Sequence, residues 1–234
     1  MHIPDGTLSP ATFGAAYAAM VPIWVVAGRK LKKTLTARTV PLLAIGAAFS
    51  FVIMMFNVPI PFASTGHATG APLIAILLGP WAATVAVSVA LAVQAFLFQD
   101  GGLTTLGANC LNMAVIMPFT SYGVYRLIAG RSDAKSARRV IGAGVAGYVG
   151  LNIAAVTTGV MLGLQPLIAR AADGRPLYFV YGLKLAVPAM AGEHLALFGF
   201  VEAAVTAGAL AYLARTEPAL VVGASQAAAK KGAA

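Results

Sequence analysis

Long apolar runs, interrupted by short polar stretches and by glycine-proline breaks, set the plan of this chain. They predict about seven helical segments, near residues 9 to 28, 40 to 57, 68 to 79, 80 to 98, 104 to 129, 139 to 165 and 186 to 214. The third run is short for a full span, and Gly79-Pro80 separates it from the fourth. It either crosses with the others or is a re-entrant or strongly inclined piece buried in protein. Ser9-Pro10 has the form of an N-cap followed by a first-turn proline. From Thr216 to Ala234 the chain turns small and polar, and a disordered tail is expected there. The pattern reads as an all-α polytopic integral membrane protein, with one membrane-embedded domain over residues 1–215, a cytoplasmic tail over 216–234 and no soluble domain.

Composition places the chain in lipid: 59% of residues are hydrophobic, 10% are charged, and the mean hydropathy is +0.84. A formal net charge of +9 would suit a nucleic-acid binder, but its distribution argues for topology instead. Arg29, Lys30, Lys32, Lys33 and Arg38 follow the first segment. Arg126, Arg131, Lys135, Arg138 and Arg139 flank the fifth-to-sixth connection, and Arg215, Lys230 and Lys231 follow the last segment. Seven crossings put all three clusters on one side, leaving Arg170, Arg175 and Lys184 on the other, which is the positive-inside bias. The N-terminus is then outside, the C-terminus is cytoplasmic, and the connection holding His67 is outside as well. The first residues carry no Lys or Arg and so do not form the positive region of a signal peptide.

That shared compartment matters because of Met1 and His2. An unblocked amine, the His2 amide and the His2 imidazole Nδ1 close a five- and a six-membered chelate ring around one ion, leaving one corner of a square plane. Such a plane selects Ni(II) or Cu(II), since Zn(II) prefers a tetrahedron and Mg(II) or Ca(II) prefer oxygen. A histidine at a terminus is otherwise a frayed, solvated residue. The loop from Asn57 to Ala68, stiffened by Pro59 and Pro61 and given freedom by Gly66, is able to bring His67 to the N-terminus. His67 is a candidate fourth ligand; the alternative is a solvated loop histidine.

Other polar residues admit two readings each. Glu193, His194 and Glu202 lie in the seventh segment, where ionisable groups are costly; they serve either as support for the metal site or as interhelical hydrogen bonds. Glu193 and His194 lie near the outer third, and Glu202 deeper. Asn109 and Asn112, preceded by Thr104 and Thr105, are helix glue or loop support. Ser64 and Thr65 are further candidates for supporting the ligands. Met54, Met55, Met113 and Met117 read as packing, and the single Cys110 allows no disulfide. Ala44 and Ala48, like Ala11, Ala15 and Ala19, form small-residue stripes that permit close helix approach. Walker A, HExxH and GxSxG motifs are absent from the sequence, and no nucleophile and base pair is recognisable, so an enzyme is not expected.

Met1-His2-Ile3-Pro4-Asp5-Gly6, together with Asn57-Val58-Pro59-Ile60-Pro61 and Gly66-His67, resembles the NikM/CbiM family. These are the substrate-binding membrane subunits, or S components, of energy-coupling-factor (ECF) transporters for nickel and cobalt. Leu78-Gly79-Pro80-Trp81-Ala82, the stretch from Asp100 to Asn109 and Tyr178 to Leu183 agree, and the likeness runs from Met1 to about Arg215. One departure is Phe62-Ala63, where family loops usually carry Gly-Gly. The resemblance implies an S-component-like bundle with an extra N-terminal helix in a prokaryotic plasma membrane, and metal ligation by Met1, His2 and His67. It also implies partners: a transmembrane scaffold docked on a small-residue face such as Ala44 and Ala48, ATPase subunits that hydrolyse ATP, and a small NikN/CbiN-type membrane subunit. The cargo is Ni(II), with Co(II) as the second choice, because Ni(II) deprotonates an amide more readily; no organic cofactor and no nucleic acid are expected. The alternative is a self-sufficient metal channel or secondary carrier, against which stands the lack of a chain of intramembrane acids.

Overall fold

The computed structural model describes residues 1–37 and 39–221; Arg38 and the greater part of the tail, 222–234, lie outside the described residues. Seven helical segments follow one another. They are α1 (Pro10–Lys32), α2 (Thr39–Met54), α3 (Ala71–Leu78), α4 (Pro80–Phe98), α5 (106–129), α6 (Ala137–Ile168) and α7 (Leu183–Thr216). Four of them, α1, α4, α6 and α7, are long and apolar enough to cross a membrane, and α2 is a shorter apolar helix. Ser9 caps α1 by accepting from the Thr12 amide ahead of Pro10 at the first turn. Arg29, Lys30 and Lys32 close its last turn, where positive charge complements the helix dipole.

The third run resolves into the eight-residue α3, in which Ala71 to Ile76 are all buried. At about 1.5 Å per residue such a helix cannot cross a bilayer alone. Its far end abuts Gly79, whose φ of 89° breaks the backbone before Pro80 starts α4. The stretch before α3 is not featureless loop: Val58–Pro59 (β1) pairs antiparallel with Thr65–Gly66 (β2) in a small hairpin.

Three helices carry a wider π-helical turn: Gln94–Phe98 in α4, Cys110–Ile116 in α5 and His194–Phe198 in α7. The long α6 lies against α5 and α7, presenting Gly142, Ala146, Gly150 and Ala154 from a buried face that lets the neighbours approach closely. Met20, Met54, Met113, Met117 and Met190 fill the main core cluster, whereas Met55 is exposed; the buried methionines pack irregular gaps between small residues. At the end of α7 the chain continues past Thr216, and Val221 is buried, its carbonyl accepting from Arg139.

Candidate metal centre

The first residues of the chain do not fray. Met1 and Ile3 are 0% exposed and His2 is 2% exposed, so every backbone polar group there needs a partner. The Asn109 carboxamide brackets Ile3, accepting from its amide at 2.8 Å and donating to its carbonyl at 3.0 Å, and the Thr105 hydroxyl donates to the same carbonyl. The Asp5 carboxylate accepts from the amides of Leu103 and Thr104 and from the Thr104 hydroxyl. The Ser9 amide donates to Gln165, and the Phe179 amide to the Thr7 carbonyl. The start of α5, the end of α6 and the approach to α7 thus hold residues 3–9 in place.

The hairpin supplies the other wall. The Met1 amine donates to the Thr65 carbonyl and, at 2.9 Å, to the Thr65 hydroxyl; the His2 amide reaches that hydroxyl at 3.2 Å, and the Ser64 hydroxyl donates to the His2 carbonyl. Gly66 allows the hairpin to sit so deep, because a Cβ there would lie 2.0 Å from the Phe198 ring. His67 follows, 0% exposed, with its ring centroid 4.6 Å from that of His2. Beyond it, the irregular backbone is satisfied by side chains. Glu202 on α7 accepts from the Thr69 amide at 2.5 Å, from the Thr69 hydroxyl at 3.0 Å and from the Gly70 amide at 3.2 Å, while the Ser50 hydroxyl donates to the Thr69 carbonyl.

Four nitrogens therefore meet in one buried place: the Met1 amine, the His2 amide and the two imidazoles. The rings are poised differently. His2 Nδ1 hydrogen-bonds Asp100 at 2.8 Å, and the other Asp100 oxygen accepts from Asn57; His67 Nδ1 hydrogen-bonds the Ala68 carbonyl at 3.0 Å. Nε2 of both rings is buried without a protein partner, and an unpaired buried polar atom is costly unless something binds it. Burial holds the Met1 amine well below its usual range, against the opposing pull of Asp100, and it also lowers His2. Burial alone would push Asp100 up, but its hydrogen bond and charge interaction with His2 outweigh this and keep it ionised to lower pH. Among the described residues no group of three or more His, Cys, Asp or Glu side chains is placed to hold a metal. A metal here depends on main-chain nitrogen plus two imidazoles, a donor set suited to a plane.

Met1, His2 and His67 come together, and Ser64, Thr65 and Asn109 all touch the first three residues. Glu193 does not join them: it is exposed, one residue and about 100° round α7 from the buried His194. His194 is buried, with Nδ1 2.7 Å from the Met190 carbonyl. Asn112 bonds Thr157 and Thr158 and serves as glue between α5 and α6. Asp100, Asn57 and Asp5 were not singled out from sequence as site residues; the signal available was a pair of acids in otherwise charge-poor outer segments. Ala44 and Ala48 are exposed on α2.

The chain is similar over residues 2–220 to the family described as the cobalt uptake substrate-specific transmembrane region, CbiM. It is 54% identical to a fused nickel transport protein NikMN of Rhodobacter capsulatus, over 94% of this chain and 64% of that one. It is 47% identical to a probable fused nickel transport protein LarMN of Lactiplantibacillus plantarum, over 93% of this chain and 66% of that one. The chain thus spans just under two thirds of the length of these two relatives. A crystal structure of a truncated transition metal transporter superimposes with a TM-score of 0.88 at 51% identity, covering 92% of this chain and 99% of that one.

Proposed function

The chain belongs to the CbiM family, and from that premise we propose that it is the substrate-capture subunit of an ATP-driven ECF-type importer for Ni(II), with Co(II) as a second cargo. The observation that carries this reading is the buried amino terminus, whose amine and His2 amide lie beside His2 and His67. The ion is held by the Met1 amine, the deprotonated His2 amide, the His2 imidazole and His67. For Nδ1 of His2 to close the six-membered ring, the imidazole turns about Cβ–Cγ away from Asp100. Ser64, Thr65 and Asn109 fix the chelating backbone, and such support is worth as much to a metal site as some ligands.

Nickel is preferred because a deprotonated amide in a square plane suits Ni(II) better than Co(II), and the two relatives above carry nickel names. The metal site faces the outside of a prokaryotic plasma membrane and the C-terminus faces the cytoplasm, following the basic clusters. Energy comes from partners: a transmembrane scaffold docked on the exposed Ala44 and Ala48 stripe, two ATPase subunits, and a small membrane subunit of the NikN/CbiN type, in keeping with the fused names of the relatives.

Purified in detergent, the chain should retain about one Ni(II). In liposomes it should fail to concentrate the ion until scaffold, ATPase subunits and ATP are added. Accumulation by the single chain under a proton gradient would instead establish a secondary carrier.

A further inference from the structure

The short third helix leaves a gap in the bundle. α3 ends at Leu78 and the backbone breaks at Gly79 before α4 begins. Beyond that end lies a cavity of about 400 Å³, within the range of about 300 to 1,000 Å³ that holds small molecules. Leu42, Leu77 and Leu78 give it an apolar wall, and Thr34, Thr36, Thr39 and Tyr122 give it a polar one. Leu220 closes it from the segment after α7, which Arg139 holds by donating to the Val221 carbonyl at 3.4 Å.

Leu42, Leu77, Leu78 and Leu220 also line a second cavity of about 280 Å³, which runs on between α2, α3 and α7 past Ile45, Phe49, Leu73 and Leu213. Its lining side chains bring one polar atom, the Tyr212 hydroxyl. A single groove thus leads from a hydroxyl-bearing mouth into apolar surface. The mouth is basic. Lys30 lies one turn before Thr34 and Lys33 directly before it, while Arg126 lies one turn after Tyr122, donates to its hydroxyl at 3.2 Å and sits over its ring. All three cations are exposed, and among the described residues none is in an ion pair. Within two positions of the lining residues of that mouth there is one acid, the exposed Glu217.

We infer that this groove binds one anionic phospholipid, with an acyl chain between α2, α3 and α7 and the phosphate at the mouth, facing Lys30, Lys33 and Arg126. Lipid tails are as apolar as leucine, so a slot of leucine, isoleucine and phenylalanine that opens on the bilayer takes an acyl chain without penalty. Three long basic side chains that extend from apolar stems beside hydroxyls match the acceptor-only oxygens of a phosphate, and basic pockets between membrane helices hold anionic head groups by this means. A helix of the scaffold subunit would fill the apolar part and leave the three cations unmatched. The inference is independent of the cargo, because no lining residue belongs to the metal centre.

Native mass spectrometry of the delipidated chain in detergent tests this, with dioleoyl phosphatidylglycerol, dioleoyl phosphatidylcholine and inorganic phosphate as probes at equal ionic strength. Wild type should take one phosphatidylglycerol about tenfold more tightly than phosphatidylcholine, and free phosphate should not compete, because it lacks the chain that the groove holds. Lys30→Gln combined with Arg126→Gln alters only exposed side chains and should remove the preference. Leu77→Trp, which fills the groove, should weaken both lipids, whereas Arg175→Gln with Lys184→Gln, outside the groove, should change neither. Equal binding of the two lipids by wild type, a comparison that needs no variant to fold, would overturn the inference. So would an undiminished preference in the Lys30→Gln, Arg126→Gln protein, or free phosphate that displaces the lipid and marks the mouth as an ion site. A Leu77→Trp chain that keeps phosphatidylglycerol but no longer co-purifies with the scaffold subunit would assign the groove to protein docking instead.

Discussion

The buried amino-terminal site and the exposed flank of α2 are built on opposite rules. At the amino-terminal site, Met1, His2 and His67 are buried among hydroxyls, carboxylates and carboxamides, and most main-chain groups of residues 1–3 are met by a named side chain. On α2, Ala44, Ile45 and Ala48 are exposed, while Leu43, Ala47 and Phe51 pack against the main apolar cluster. The first region fixes single atoms; the second offers shape alone. A ligand change should therefore act on binding and leave the bundle standing, whereas a change on α2 should do the reverse of what its burial suggests and matter only when a partner is present.

The largest effect is expected at the ligands. His2→Ala and His67→Ala should each abolish retention of Ni(II) in equilibrium dialysis, and one residue added before Met1 should do the same by moving the amine out of the chelate ring. Helical circular dichroism should change little, because the helices take their stability from packing elsewhere. An extended chain that binds nickel like the native one would break the comparison at its root.

A smaller effect should follow at Asp100, which holds His2 through Nδ1 while Asn57 steadies its other oxygen. Asp100→Ala removes the acceptor that Nδ1 must leave before it can ligate, and should strengthen Ni(II) retention roughly tenfold, the scale of one hydrogen bond to a charged group. A weakened retention would mean that Asp100 supports the loaded site in some other way.

Sequence reading reached the two regions unequally. The helices were legible because a run of twenty apolar residues has few other uses, and the structure follows those boundaries within a few residues. Even the short third segment was readable, from Gly79-Pro80. That the Met1 amine and His2 offer a chelating set was readable only through local arithmetic, since the two are adjacent and ring size is set by covalent geometry. What stayed hidden was long-range: that Asp100 would face His2 across 98 positions, that Glu202 would satisfy the backbone after His67, and that the connection would fold as a hairpin. Two-residue strands leave no periodicity, and Phe62, held at a φ of 61° and packed edge-on against Tyr181, gives no turn signal of the glycine kind. Glu193 lies exposed beside the buried His194 because one residue along a helix turns a side chain by about 100°.

The proton count sharpens the amino-terminal site further. Burial holds the Met1 amine well below its usual value of about 8, against the opposing pull of Asp100, so folding favours the neutral amine. Stability of the protein is then flat above about pH 8 and falls as the pH drops below it towards the folded value. Loading should release one proton per ion from the His2 amide, and a second wherever the amine is still charged at the working pH. Calorimetry in two buffers of different ionisation enthalpy reads this number. A count near two would show an amine still charged, and a count near zero would rule out amide ligation.

The smallest effect on binding is expected at Ala44, and it is the most diagnostic for the other half of the comparison. Ala44→Leu adds bulk to a surface that this chain leaves exposed, so no cavity is overfilled and no hydrogen bond is lost; melting temperature and nickel retention should match wild type. In lipid there is no hydrophobic gain from pairing two helices, and association depends on how closely their backbones approach. A leucine at Ala44 or Ala48 separates them, and co-purification with the scaffold subunit and ATP-dependent uptake should both drop while the isolated chain still holds its ion. Should Ala44→Leu leave assembly intact, the stripe is a lipid face; should it weaken nickel retention in the isolated chain, the two regions are coupled through α3, whose Ile74 packs on Gly46 one helical turn beyond the Glu202-held start of that helix.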